Sequence, residues 1–282
     1  MFRMYLRSVL LAILSAIVGL SAAPAVADNA CASDRLPDVD EIYPTADTLP
    51  DNLLRFYVYF SEPMRREAVL EHVTLRSSAS GVAVEGVFFQ SRYDLWSTDG
   101  LRLTLLLDPG RVKSGLDSSE NLGRAFTIGD QYRLEIDRSI RAANGCTLGQ
   151  DVFKAFTVER SDVDIPDMAQ WRIDAPRAHT KEPLTIALNG PYDHVSLAFR
   201  VRVKTGGGQP VAGSIDLASG ETEWRFTPTA PWTDSQYVIR VHPALEDIAG
   251  NRLTGLFDDP TGESRINQSQ SNAYELPFWP AK

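Results

Sequence analysis

The chain has 282 residues, 43% of them hydrophobic and 23% charged, with a formal net charge of −9. That length exceeds one ordinary sandwich and suits two domains of about 100 to 150 residues, while the apolar fraction excludes wholesale disorder. So acidic a chain has no surplus of cations to neutralise phosphates, which argues against nucleic acid as a partner.

Residues 1–27 read as a secretory signal peptide. Arg3 and Arg7 mark a basic start, an uncharged apolar run covers 9–20, and small residues end in Ala25-Val26-Ala27. The apolar run is about a dozen residues, short of the roughly 20 that cross a bilayer, so a membrane anchor is the poorer reading. Asp28-Asn29-Ala30 before Cys31 lacks the apolar residue that a lipid-attachment box requires. Cleavage after Ala27 removes two of the 28 basic residues and none of the 37 acids, leaving a mature charge of −11. No later apolar run is long enough to span a membrane, so the expected product is exported, periplasmic or extracellular, with no transmembrane segment.

Export sets the reading of the two cysteines. Cys31 and Cys146 both survive cleavage, and in an oxidising compartment two thiols most simply form one disulfide. The bridge would pin the mature N-terminus to the turn at Asn144-Gly145-Cys146. The alternative, a nucleophilic Cys146, needs a neighbouring base that no local motif supplies.

Strand patterns then run almost without interruption. Leu54, Phe56, Val58 and Phe60 alternate with Arg55, Tyr57, Tyr59 and Ser61; Leu101, Leu103, Leu105 and Leu107 repeat the pattern, as do Tyr132, Leu134 and Ile136. In the second half, Leu184, Ile186 and Leu188 share a face, as do Leu197, Phe199, Val201 and Val203. Trp224 with Phe226, then Tyr237, Ile239 and Val241, follow. Period-two placement of apolar residues marks sheets with one buried face, and turn clusters such as Asp108-Pro109-Gly110 and Gly206-Gly207-Gly208 separate the runs. Helix is expected only over 64–72 and around 111–115. An acidic, proline-containing stretch over 161–167 reads as a short solvated linker.

The halves repeat each other. Tyr132 leads to Gly145 and Leu148, and Tyr237 leads to Gly250 and Leu253, at the same spacings; Phe60 to Pro63 matches Leu188 to Pro191 as strand then turn proline. They differ chiefly by an insertion near 108–130 in the first. The predicted architecture is therefore all-β, with two tandem antiparallel β-sandwiches at 33–160 and 168–282.

Phe60-Ser61-Glu62-Pro63-Met64, the aromatic-led strands at Tyr132 and Tyr237, and the turn Asp247-Ile248-Ala249-Gly250-Asn251 resemble the bacterial Ig-like domain of the SbsA type. The first copy departs at its last turn, where Ala143-Asn144-Gly145-Cys146 stands. The second departs at Asn189-Gly190-Pro191. The resemblance covers most of 38–282 and implies an Ig-like fold in an exported setting, with no catalytic residues to carry over.

Candidate chemistry is sparse. Glu246, Asp247, Asp258, Asp259 and Glu263 flank the Gly250-Asn251 turn and are the acids a hard cation would take, but their spacing fits no EF-hand loop. Asp before Gly-Asn more simply serves the turn's own hydrogen bonds. His72, His179, His194 and His242 have no metal-ligand spacing, and only Met64 and Met168 remain after the leader. No hydrolase motif is present, and carboxylate pairs such as Asp94 with Asp99, or Glu62 with Asp108, read as surface acids. Tyr57, Tyr59, Trp96 and Trp232 are either recognition aromatics or packing for a sheet covered on both sides, the latter being the expected role. Tyr132 and Tyr237 suit tyrosine corners.

The expectation is thus a non-enzymatic, exported binding or structural protein of the cell envelope or extracellular space. No catalytic, cofactor or metal residues are expected, and the partner would be an envelope protein or a glycan. The alternative is an exported enzyme or metal-binding protein whose site lies between the two domains, signalled by ionisable groups from both halves converging in one pocket.

Overall fold

The computed structural model describes residues 31, 36–66, 69–90, 95–113, 123–259 and 272–282. The expected leader, Asp94, Glu263 and the middle of the insertion lie outside the described residues. In chain order the first half forms β1 (Val39–Tyr43), β2 (Thr48–Pro50), β3 (Arg55–Phe60), β4 (Val73–Ser77), β5 (Arg102–Leu106), β6 (Gln131–Ile136) and β7 (Val152–Glu159). The second forms β8 (Arg172–Asp174), β9 (Leu184–Ala187), β10 (Val201–Thr205), β11 (Gly213–Leu217), β12 (Glu223–Pro228), β13 (Tyr237–Val241) and β14 (Tyr274–Phe278).

These strands make four sheets, ordered β1-β3-β5 and β2-β7-β6-β4 in the first half, β8-β9-β12-β11 and β10-β13-β14 in the second. Each half therefore repeats one Ig-like order, an outer pair with a central β3 or β9 set against a sheet centred on β6 or β13. Alternation decides which side chains enter the cores. Phe56 and Val58 on β3, Leu103 and Leu105 on β5, and Leu134 and Ile136 on β6 are wholly or almost wholly buried, and join one hydrophobic cluster. Leu184, Ile186, Trp224, Ile239 and Val241 form the core of a second cluster. Ile248 is the exception, a second-half residue packed in the first cluster.

The repeat extends to individual bonds. The Tyr132 hydroxyl accepts the Thr127 amide at 3.0 Å and the Tyr237 hydroxyl accepts the Thr233 amide at 3.1 Å, so both phenols tie their strands to the chain just upstream. Tyr132 lies opposite Phe156 and Tyr237 opposite Phe278 in register. The turns that follow match as well. The Gly145 amide donates to the Ala142 carbonyl and the Gly250 amide to Asp247, with both glycines at φ near +90°. At Gly250 a side chain is doubly excluded, because a Cβ there would lie 2.6 Å from Leu54 Cδ2.

Cys146 and Asn251 occupy equivalent positions after those glycines, and each ties down the segment that leads into its half. Cys146 is joined to Cys31 in a disulfide spanning 115 positions. The Asn251 side-chain amide instead donates to the Asp162 carbonyl at 3.1 Å.

Two expectations about helix are corrected. Residues 194–200 are not strand: they form α2 (His194–Arg200), after the short α1 (Pro109–Val112) in the insertion. Asp193 caps α2 by accepting the Ser196 amide at 2.7 Å, which fixes a helical first turn before Val201 and Val203 resume the strand. Phe199 consequently points out and is 65% exposed, while Leu197 is buried. The sheets are antiparallel as expected, with a parallel pairing at an edge of each half. β2 runs parallel to β7, and Arg177 bridges Ala281 in the same sense in the second half. Of the expected helix at 64–72, the described residues form only a 3-10 turn at Val69–His72.

Candidate functional site at the junction of the halves

Residues at alternate positions on β3 point away from the first core. Arg55, Tyr57 and Tyr59, with Tyr43 opposite Tyr57 and Arg102 opposite Tyr59, form the outer face of the β1-β3-β5 sheet. The N-terminus of α2 and the loop after β13 cover it. Tyr57 and Tyr59 are thus packing for a sheet covered on both sides, as expected, but the cover is the other half of the chain. Trp96 and Trp232 are core residues, beside Phe60 and Tyr237 respectively.

Arg55 is the centre of the junction. Its Nη2 donates to Glu246 Oε2 at 2.5 Å and its Nε lies 3.6 Å from Asp193 Oδ2. The Tyr57 hydroxyl donates to Asp193 Oδ2 at 2.9 Å, and Arg252 Nε donates to Glu246 Oε1 at 2.9 Å. Burial alone would lower the pKa of the Arg55 guanidinium; Asp193, Tyr57 and Glu246 outweigh it and hold the proton more firmly than usual. Burial raises the Asp193 carboxyl, and Arg55, the Ser196 amide and the Tyr57 hydroxyl pull it back.

A second fastening is Glu221, 1% exposed and held at φ 51°, whose carboxylate accepts the Thr45 amide and hydroxyl, the latter at 2.7 Å. Burial raises its pKa, against the pull of Thr45 and Lys154. The supposed linker is a third. Asn52 and Asp162 exchange hydrogen bonds of 2.8 and 2.9 Å, and Ser161 donates to Asp51. The start of that segment is therefore stitched to both halves, while Val163 and Ile165 stand exposed.

Between these fastenings His194 stacks on Tyr43 with ring centroids 3.5 Å apart, and its buried Nδ1 has no hydrogen-bond partner among the described residues. Burial, then the Arg102 charge, lowers its pKa to about 4. A folded-state pKa below the ordinary value favours the neutral ring, so its contribution to stability is complete above pH 6.5 and is lost as pH falls through 4. We expect His194→Phe, which keeps the stack, to remove this dependence. In urea unfolding at pH 7 and pH 4, the parent should lose about 3 kcal/mol relative to the variant.

The acids flanking Gly250 divide among the roles foreseen for a turn and for the junction. Asp247 Oδ1 accepts the Ala249 and Asn251 amides at 2.9 and 2.8 Å, Glu246 pairs with the two arginines, and Asp258 lies 3.7 Å from Arg124. Asp247 also faces a cleft of about 570 Å³ lined by Glu159, Asp162, Asp164, Asp167 and Tyr192. Burial, then the Asp162 charge, holds the Asp247 carboxyl well above its ordinary range. Ionisable groups of both halves do converge here. Among the described residues, no group of three or more His, Cys, Asp or Glu is arranged to hold a metal.

The other candidates are dispersed. His72 contacts Ser139, His179 pairs with Asp234, and His242 contacts Arg200. Glu62 accepts from Asn144, Asp99 from Ser97, and Asp108 caps α1. Sequence reasoning missed Arg55, Tyr43, Asp193 and Glu221. The signal available for Asp193 was the repeat itself, since the offset from Pro63 to Pro191 carries the expected helix at 64–72 onto 192–200.

No protein-family model matches the chain, and no curated protein matches it. Among solved structures it is similar to native alpha-2-macroglobulin of Escherichia coli over domains MG0-NIE-MG1, at 13% identity and TM-score 0.29, covering 74% of this chain and 67% of that one. It is similar to surface layer protein SbsC, domains 1–6, at 9% identity and TM-score 0.30, covering 88% of this chain and 41% of that one. Chicken CNTN1 FN1-FN3 overlaps 86% of the chain at 9% identity and TM-score 0.23, with 67% of that protein covered. Likeness at this level carries no functional argument; the strand order and the junction do. No described helix is long and apolar enough to cross a membrane.

Proposed function

We propose that this chain is an exported, non-enzymatic tandem Ig-like protein of the SbsA type. It has domains at 33–160 and 168–282 behind a cleaved leader at 1–27, and serves as a binding or structural module of the cell envelope or extracellular space. The junction carries this reading. Arg55, Asp193, Glu246 and Arg252 neutralise one another, and Tyr57 and Ser196 satisfy Asp193. These charged groups are thus committed to fastening two sandwiches into one unit. Such a unit offers surface rather than a reaction centre, and its partner would be an envelope protein or a glycan. The Cys31–Cys146 disulfide supports an oxidising compartment.

The acidic cleft, lined by ionisable groups of both halves, is the observation behind one second reading, an exported enzyme or metal-binding protein with its site between the domains. One preparation tests both. The chain, tagged at its C-terminus, is expressed in a bacterial host, fractionated, sequenced at its N-terminus and analysed for metal. The expected product is in the periplasm or medium, begins at Asp28 and has no free thiol. A cytoplasmic product retaining Met1 overturns the first reading, and a stoichiometric metal establishes the second.

A further inference from the structure

The outer face of the β10-β13-β14 sheet carries a ladder of cations. Arg202 lies directly opposite Arg240 and Lys204 opposite Val238. One step beyond the paired register, the His242 amide donates to the Arg200 carbonyl, and Arg200 Nη1 lies 3.3 Å from His242 Nδ1. Arg202 and Lys204, two apart on β10, share a face at about 7 Å spacing with Arg240 beside them, and Arg200, the last residue of α2, extends the patch at one end with His242. Arg202, Arg240 and His242 are exposed. Among the described residues none of these three arginines, nor Lys204, has a carboxylate within 4 Å; Glu275 lies opposite Arg240 in register without closing an ion pair.

The first half is the internal control. Its matching face pairs Thr74 with Glu135 where the second pairs Arg202 with Arg240. There Arg76 lies opposite Arg133, and Glu135 lies 3.3 Å from the first and 2.5 Å from the second, so both arginines share a carboxylate. In the second half the position of this acid is filled by Arg240. Arg202 Nη1 donates to the Ala198 and Val201 carbonyls, but like charges directly opposite on a sheet are destabilising and an anion would relieve them. An aromatic completes it: the exposed Phe199 ring lies 5.9 Å from the Arg202 guanidinium. A flat exposed ring offers a stacking surface to the apolar face of a sugar, which neither a lipid headgroup nor an acidic peptide requires.

We infer that the Arg200–Arg202–Arg240 face with Phe199 binds an acidic polysaccharide, the anionic groups meeting the arginines and one sugar ring stacking on Phe199. This deepens the binding role proposed above and rests on it. The test is titration of the full mature chain with three probes at low salt: polygalacturonate, polyglutamate, and vesicles rich in phosphatidylglycerol. Polygalacturonate should bind, more weakly as salt rises, and better than the other two. Joint Arg202→Ser and Arg240→Ser substitution should weaken it roughly 5- to 30-fold. Phe199→Ala should weaken polygalacturonate and leave polyglutamate unchanged. Arg240→Glu, which places the first half's acid on this face, should abolish binding without lowering the melting temperature, showing that the fold is intact. No binding of polygalacturonate, equal binding of all three probes, or indifference to these substitutions overturns the inference. Export and cleavage are read from fractionation, so they stand or fall separately.

Discussion

Arg55→Ala should destabilise the chain by about 3 to 5 kcal/mol and split its unfolding into two transitions. The magnitude follows from what is left behind. Asp193 is 4% exposed and Glu246 is half-buried, and the guanidinium between them supplies the only cation in contact with both among the described residues. Without it a buried carboxylate faces a second carboxylate, and the cost is that of an unpaired charge rather than of a lost contact. Replacing the whole group is a different matter. Arg55→Leu combined with Asp193→Asn removes both charges and should recover part of the loss, because the Asn oxygen still accepts the Ser196 amide. The split follows from the two hydrophobic clusters, which share little beyond Ile248. Calorimetry of parent and variant checks both points. One transition with an unchanged midpoint in Arg55→Ala would show that the junction contributes nothing to coupling.

The sheets were legible because period-two alternation states which face of a strand is buried, and equal spacings from Tyr132 and Tyr237 state that it happens twice. The tyrosine hydroxyl bonds followed from the repeat, and the cysteine pair from two thiols in a chain read as exported. The junction was not legible for a physical reason. Alternation tells that Arg55, Tyr57 and Tyr59 leave their own core, but not whether water or protein covers them. Their partners Asp193 and Glu246 lie 136 and 191 positions away, Glu221 lies 176 positions from Thr45, and no local period reports contacts at that range. α2 was misread because Leu197, Phe199, Val201 and Val203 alternate by composition, whereas the Asp193 cap sets the local conformation. The cationic face was concealed in another way. Arg202 and Arg240 are separated by 38 positions, and a net charge of −9 averages them away; only the strand register brings them opposite each other.

Breaking the Cys31–Cys146 bridge should be nearly as costly as losing Arg55, and the loss should fall on the first half alone. The loop it closes spans 115 positions, for which loop-closure entropy in the unfolded chain gives about 4 to 5 kcal/mol. Native sites usually return somewhat less, so Cys146→Ser is expected to cost about 4 kcal/mol and to lower the first-half midpoint by roughly 10 °C. The partner at the equivalent position sharpens the expectation. Asn251 holds the segment leading into the second half by one neutral hydrogen bond to Asp162, an interaction typically worth about 1 kcal/mol, and closes no covalent loop. The leading segments of the two halves are therefore held by bonds of unequal kind, and reductant should act on only the first. Calorimetry in the Arg55→Ala background, where the halves unfold separately, with and without a thiol reductant separates the cases: the reduced protein should match the added Cys146→Ser or Cys31→Ser, with the second-half transition unmoved. A midpoint that ignores reductant, in a sample whose thiols are shown to be free, would mean that the start of the first half is held by packing, with the bridge adding nothing.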